Sequence, residues 1–131
     1  MAIVVTVGRN ALLDLTFASG WCVGLVDSAG FTAYSTADTM SSHAGWSESQ
    51  VYTEAIRPTY SPAAAVAGSA TNTTAKAVFT INATVTIRGA FLTSSPVKGG
   101  TAGTLYGIGD FAVPRSVMIG NVLHVTIIVT D

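Results

Sequence analysis

Charge is what this sequence has least of: 10% of its 131 residues are charged, six Lys and Arg against seven Asp and Glu, for a net charge of −1. A balance so near zero creates no field to gather phosphates, which argues against nucleic acid as a partner. Cysteine is nearly absent too. Cys22 stands alone and cannot close an internal bridge, and a chain of this length buries enough surface to fold without a disulfide or a structural metal. Long apolar runs are missing. The stretch Ala2 to Val7 ends at Gly8, Arg9 and Asn10, far short of the roughly 18 residues of a spanning helix, and no basic region precedes it as in a signal peptide. No membrane partner is expected, and the chain is expected to stay where it is made. Asn72-Thr73-Thr74 and Asn82-Ala83-Thr84 match the glycosylation sequon but read here as turn and strand residues.

Apolar residues are plentiful. They make up 49% of the chain, with 18 Thr and 12 Ser beside them, and the mean hydropathy is +0.51. Such a composition excludes disorder and fits one folded domain. A free-standing small domain carries about 25–35% charged residues on its surface. This chain must build its polar surface from Thr, Ser, Asn and Gly, which desolvate easily against another protein. Two readings follow, a subunit of a larger assembly or simply a neutral, Thr-rich β domain.

The apolar spacing is mostly period two, the mark of strands with one buried face. From Val122 to Thr130, Leu123, Val125, Ile127 and Val129 share one face, while His124, Thr126 and Thr130 share the other. Ile128 falls on that second face, which predicts cover on both sides for part of the strand. Gly120-Asn121 signals a tight turn and makes Ser116 to Ile119 the expected antiparallel partner. Ala77 to Leu92 also alternates, with a break expected near Asn82-Ala83. Trp21 to Val26, Gln50 to Ile56 and, more weakly, Leu105 to Phe111 read as further strands, Gly107 and Gly109 pointing to a bulge or a close backbone approach. Helix is scarce: Asn10 to Phe17 predicts two turns with Asn10 as N-cap, and Asp38 a short turn through His43. The expected fold is mainly β, a single-domain antiparallel β-sandwich or partly closed, jelly-roll-like barrel with one or two short helices at most. Residues 1–9 read as an N-terminal arm or edge strand and residues 10–131 as the domain.

Chemistry finds no seat in this pattern. The seven carboxylates are scattered, so no acid–base pair is placed by local structure. His43 with Asp38 and Glu48 lacks a second histidine and reads as a surface cap rather than a metal site, and His124 reads as a partner for a cross-strand hydroxyl. Cys22 follows Trp21 in an apolar strand, the setting of an inert buried thiol. Gly107-Ile108-Gly109-Asp110-Phe111-Ala112 matches a dinucleotide string, but Pro114 forbids the helix that the fingerprint needs. No catalytic residue, metal or cofactor is expected. The large residues Trp46, Tyr52, Arg57 and Tyr60 are of the types that anchor interfaces, and the competing reading of the first two is that they roof the ends of the sandwich.

Several segments resemble small virion proteins of tailed bacteriophages. They are Cys22-Val23-Gly24-Leu25-Val26-Asp27, Ala37-Asp38-Thr39-Met40-Ser41-Ser42-His43-Ala44-Gly45-Trp46-Ser47-Glu48, Tyr52 with Glu54-Ala55-Ile56-Arg57-Pro58, Phe79 to Ala83, Gly89-Ala90-Phe91-Leu92, Lys98-Gly99-Gly100 to Gly103-Thr104-Leu105-Tyr106, and Gly120-Asn121-Val122-Leu123. The group resembles head decoration, or cement, proteins, though some similar sequences belong to tail parts. The resemblance implies a non-enzymatic subunit on the capsid exterior that bridges neighbouring major capsid proteins, with copies contacting one another on the lattice. Ile3, Val4 and Val5, with Trp46, Tyr52, Arg57 and Tyr60, are the expected interface residues, the first three within an apolar arm from Ala2 to Val7 that adds backbone pairing to a partner. The alternative is a tail or fibre component that stacks host glycan on Trp46, Tyr52 and Tyr60. A third reading is a small enzyme assembled from distant residues, such as His43 with Asp27 or Glu54.

Overall fold

Eight strands follow one helix in a computed structural model that describes residue 3 and residues 5–130. Helix α1 is Thr6–Thr16, and the strands are β1 (Cys22–Asp27), β2 (Glu48–Ser49), β3 (Ser69–Thr71), β4 (Ala77–Thr80), β5 (Val85–Thr93), β6 (Leu105–Val117), β7 (Val122–Val125) and β8 (Ile128–Thr130). One four-stranded sheet has the order β2-β1-β5-β6, and β3 pairs with β8 and β4 with β7. Every strand pairing is antiparallel. The protein is mainly β and is arranged as a β-sandwich.

The two short ladders form an interrupted second layer, joined by one side chain. Asn72 donates from Nδ2 to the Val125 carbonyl (3.1 Å) and accepts at Oδ1 from the Ile127 amide (2.7 Å). It occupies the backbone groups left over where β7 stops and β8 has yet to begin. The main core lies between the layers, where Val23, Leu25, Ile87, Ala90 and Leu92 meet Ala70, Phe79 and Val125. A second cluster of Val26, Met40, Trp46 and Phe91 covers the opposite face of the large sheet. That double cover explains why β1 is buried almost throughout, although it belongs to an antiparallel sheet. Ile87 and Ala90 both face the main core, which strict alternation forbids. The register shift between Ile87 and Gly89 supplies the change of phase and leaves Arg88 as the extra residue.

The break expected at Asn82-Ala83 separates β4 from β5, and Gly107 to Ala112 lies within strand, not helix. Other expectations need correction. The helix starts at Thr6 rather than Asn10, with the Arg9 amide bonded to the Val5 carbonyl (3.0 Å). Leu13 and Phe17 anchor it in the core, and Asn10 Oδ1 accepts from the Gly68 amide instead of capping (2.8 Å). Gln50 to Ile56 is largely irregular: the short strand there is Glu48–Ser49, and Tyr52 makes an isolated bridge to Ile81. The Asp38 carboxylate caps backwards, accepting from the Ser35 amide (2.9 Å), and no helical turn follows it.

Two corrections concern the C-terminal strands. Ser116 and Val117 pair with Thr86 and Val85, not with the strand after the turn. The turn does form, with the Asn121 amide on the Met118 carbonyl (3.0 Å). However, the Gly120 amide bonds the Ile81 carbonyl (3.0 Å) and the Ile81 amide bonds the Asn121 carbonyl (2.9 Å), so the turn is pinned to the end of β4 and delivers β7 there. Ile128 is 65% exposed rather than covered, because its layer has a core on one side only.

Candidate functional site

Four of the side chains expected at an interface lie inside the molecule. Trp46, Tyr52, Arg57 and Tyr60 keep 4%, 0%, 0% and 2% of their surface. The correction is physical: each is tied to the chain's own loops, so none is free to anchor a partner, and Trp46, Tyr52 and Tyr60 form no sugar-stacking surface. Trp46 donates from Nε1 to Asp38 (3.0 Å) and stacks on His43 with ring centres 3.9 Å apart. The hydroxyl of Tyr60 donates to the Ile127 carbonyl (2.9 Å), and its ring meets Phe17 edge-on.

Arg57 is the centre of a buried staple. Its Nε and Nη2 hold the two carboxylate oxygens of Glu48 at 2.9 and 2.7 Å, while Nη1 and Nη2 donate to the carbonyls of Ser95 (2.9 Å) and Gly100 (3.0 Å). The planar fork suits this task, since one guanidinium satisfies a carboxylate and two loop carbonyls together. Lys98 continues the staple, donating to the carbonyls of Tyr52 (2.7 Å) and Glu54 (2.9 Å) above the Tyr52 ring. The loop from Ser94 to Thr104 is thereby fastened to residues 48–58.

Reactive groups are muted by the same packing. Burial pushes the Cys22 thiol above its ordinary value despite the nearby Arg57. Burial likewise raises the phenol of Tyr52, with Glu48 adding to the effect and Arg57 opposing it, and pushes Tyr60 up to about 12, with Tyr106 contributing. Burial alone would raise Glu54, but hydrogen bonds from the Thr80 amide (2.8 Å) and hydroxyl (2.9 Å), with Lys98 nearby, hold it below the usual carboxylate range. His43, Asp38 and Glu48 do not converge on a metal position: Glu48 is bound to Arg57, and His43 Nδ1 lies 2.9 Å from the Trp46 carbonyl. Asp27 accepts from the Ala29 amide (2.8 Å), so Asp27 and Glu54 have separate local partners instead of forming a site with His43.

All six carboxylates among the described residues accept hydrogen bonds from within the chain. Much of the remaining outer surface is neutral, and part of it is apolar. Val7, Ala11 and Leu15 recur every four residues along α1 and form an exposed row, Val7 and Leu15 keeping 78% and 77% of their surface. Val113 within β6, Met118 and Ile119 beyond its end and Val122 at the start of β7 are also exposed. Of the arm residues expected at an interface, Ile3 and Val5 are exposed, Val4 lies outside the described residues, and Thr6 and Val7 belong to the helix. No signal in the sequence separated α1 from an arm, because Thr6, Val7 and Gly8 are all weak helix formers.

A seam runs between the two layers. β6 is the last strand of its sheet, and β7 and β8 are paired on one side only, so two strand edges face each other with no pairing between them. The groove between Tyr106–Phe111 and Thr126–Thr130 has a volume of about 350 Å³ and reaches Ala90 and Leu92. A second groove continues it past Asp110–Ala112 and Leu123–Thr126. No described helix is long and apolar enough to cross a membrane. Compared with family models, curated proteins and solved structures, the chain matches none.

Proposed function

We propose that this chain is a structural subunit of a tailed-bacteriophage particle, a decoration protein that docks on the capsid exterior and bridges major capsid protein subunits. The observation that carries this reading is the inverted use of side chains, with carboxylates bonded inward and the row Val7, Ala11 and Leu15 turned outward. A neutral surface is desolvated at small cost, because few hydrated charges must be stripped. The exposed apolar row then gains when it meets a partner. Single contacts of this kind are weak. Repetition on a lattice raises their combined strength without any tight individual site. The segments from Asp38 to Glu48 and from Lys98 to Tyr106, which carry the resemblance to head decoration proteins, build loops that fix the scaffold on which this surface is displayed.

The test is to incubate undecorated phage heads with the purified protein and image them by electron cryo-microscopy at side-chain resolution. Density for this chain on the shell, with α1 against the capsid lattice, is expected, and Leu15→Lys is expected to lower occupancy. Heads that stay bare while labelled protein collects on tails would overturn the reading.

A further inference from the structure

We infer that the seam between β6 and β7–β8 accepts a strand, and that the strand is residues 1–5 of a second copy of this chain. The inference does not depend on where in a particle the protein sits. One rim is β6, paired on its other side to β5; the other is β8, paired on its other side to β3 and preceded by Thr126 and Ile127, the latter bonded to Asn72 and Tyr60. An extended segment laid between them would find backbone donors and acceptors on both sides. Exposed edges are normally blocked by charge, proline or a bulge. Here those devices sit at one end: Pro114 and the register shift opposite Arg88 close the usable edge past Asp110, and Asp110 itself is held by Arg88 and Tyr34. From Tyr106 to Gly109, and from Thr126 to Thr130, the rims carry no charge.

Gly107 and Gly109 point the same way. A Cβ at either position would meet nothing within 4 Å, so the chain's own packing does not require glycine there. Glycine weakens a strand interior unless another backbone must come close. Gly89, the other glycine of this strand pair, behaves differently, since a Cβ there would strike the Gly109 carbonyl. The open space at Gly107 and Gly109 is therefore room that this copy leaves unused.

The occupant is argued from its chemistry and length. Met1-Ala2-Ile3-Val4-Val5 has no charged side chain and is rich in β-branched residues, and Ile3 and Val5 keep 78% and 60% of their surface in their own chain. Five extended residues span about 17 Å, the same number of residues as Tyr106–Asp110 on one rim and Thr126–Thr130 on the other, where Ile128–Thr130 is strand. In an extended strand Met1, Ile3 and Val5 share a face that would fill the groove over Ala90, Leu92 and Ile127, while Ala2 and Val4 face outward. Donor and acceptor are different surfaces, so the contact runs head to tail and closes only as a ring or an exchanged dimer.

Sedimentation of the full chain over a range of concentrations tests this, together with amide hydrogen exchange. Wild-type protein is expected to form oligomers, and Ile3→Asp, which lies before the helix and leaves the core intact, is expected to be monomeric. Adding a peptide of residues 1–6 to the Ile3→Asp protein should slow exchange on both rims, in Tyr106–Asp110 and in Ile128–Thr130. A wild-type monomer, an oligomer that survives Ile3→Asp, or a peptide that leaves either rim unprotected would each overturn the inference. The first of these includes the case in which the segment fills the seam of its own chain.

Discussion

Around Arg57, charge is enclosed and loop carbonyls are bonded; along the seam, two strand edges stand open above apolar side chains. Both regions draw on the same neutral composition. At the staple, Glu48 and Arg57 spend their hydrogen bonds on each other and on the backbone of Ser95, Gly99 and Gly100. Along α1 Val7 and Leu15 face outward, as do Ile128 at the seam and Ile119 in the turn after β6. The difference teaches that most of the scarce charge here serves internal order, which leaves the outer surface with few charged groups, Arg9, Lys76 and Arg115 among them. A protein that uses charge this way should be hurt badly by changes at the staple and barely by changes on the outer rows.

The largest effect is expected from Arg57→Met. It would leave the Glu48 carboxylate without its partner in a site that keeps 9% of that side chain's surface, and would orphan the Ser95 and Gly100 carbonyls. Breaking one side of a buried ion pair costs about 3–5 kcal/mol. Urea denaturation measures it, and Arg57→Met with Glu48→Gln should recover part of the loss, because the uncompensated charge is then gone. A single variant as stable as wild type would show that the staple contributes no order and would break the contrast between the two regions. Next in size is Asn72→Leu, which leaves the Val125 carbonyl and the Ile127 amide unpaired where β7 meets β8. About 1–3 kcal/mol is expected, with faster amide exchange at Ile127 and unchanged exchange in β1.

Acid titration sharpens the comparison at a single group. Glu54 is held below its ordinary value of 4.5 in the folded protein. Its contribution to stability is therefore complete above that value and is lost as pH falls through the lower, folded one. Wild-type protein should lose urea resistance in this acid window, and Glu54→Gln should flatten that part of the profile. An identical profile in the variant would show that the bonds from Thr80 do not favour the ionised form.

The β skeleton was legible because alternation is a local signal. Phe79, Ile81 and Ile87 announced their buried face, and Asn82 its break, with no knowledge of what lay opposite. Even Ile128 was placed on the correct side of its strand; the expectation of cover there failed because cover depends on a third layer that no local pattern reports. Partner choice was hidden for the same reason. The Gly120-Asn121 turn was readable, but its bonds to Ile81 join residues far apart in the chain, so β7 could not be assigned to β4. Trp46 and Arg57 were marked as anchors on residue type alone. Their burial follows from the loop that folds over Phe91 and from an ion pair nine residues apart, and neither leaves a periodic trace. The seam itself left no local trace; Gly107 and Gly109 signalled a bulge or a close backbone approach, and register shifts flank them in the ladder with β5.

The smallest effect on stability, and the most discriminating one, belongs to the outer rows. Leu15→Lys and Ile119→Lys replace side chains that are already mostly in water, so unfolding free energy should stay within about 0.5 kcal/mol of wild type. Under the proposed function, attachment to phage heads should fall for Leu15→Lys in the same preparations that unfold normally, since the lysine must be desolvated against a partner. If Leu15→Lys instead destabilised the fold as much as Asn72→Leu, α1 would belong to the internal order of the molecule, and its exposed row would lose its standing as a docking surface. Stability and attachment must therefore be measured on the same variants, because the contrast between staple and surface lies in the two quantities moving independently.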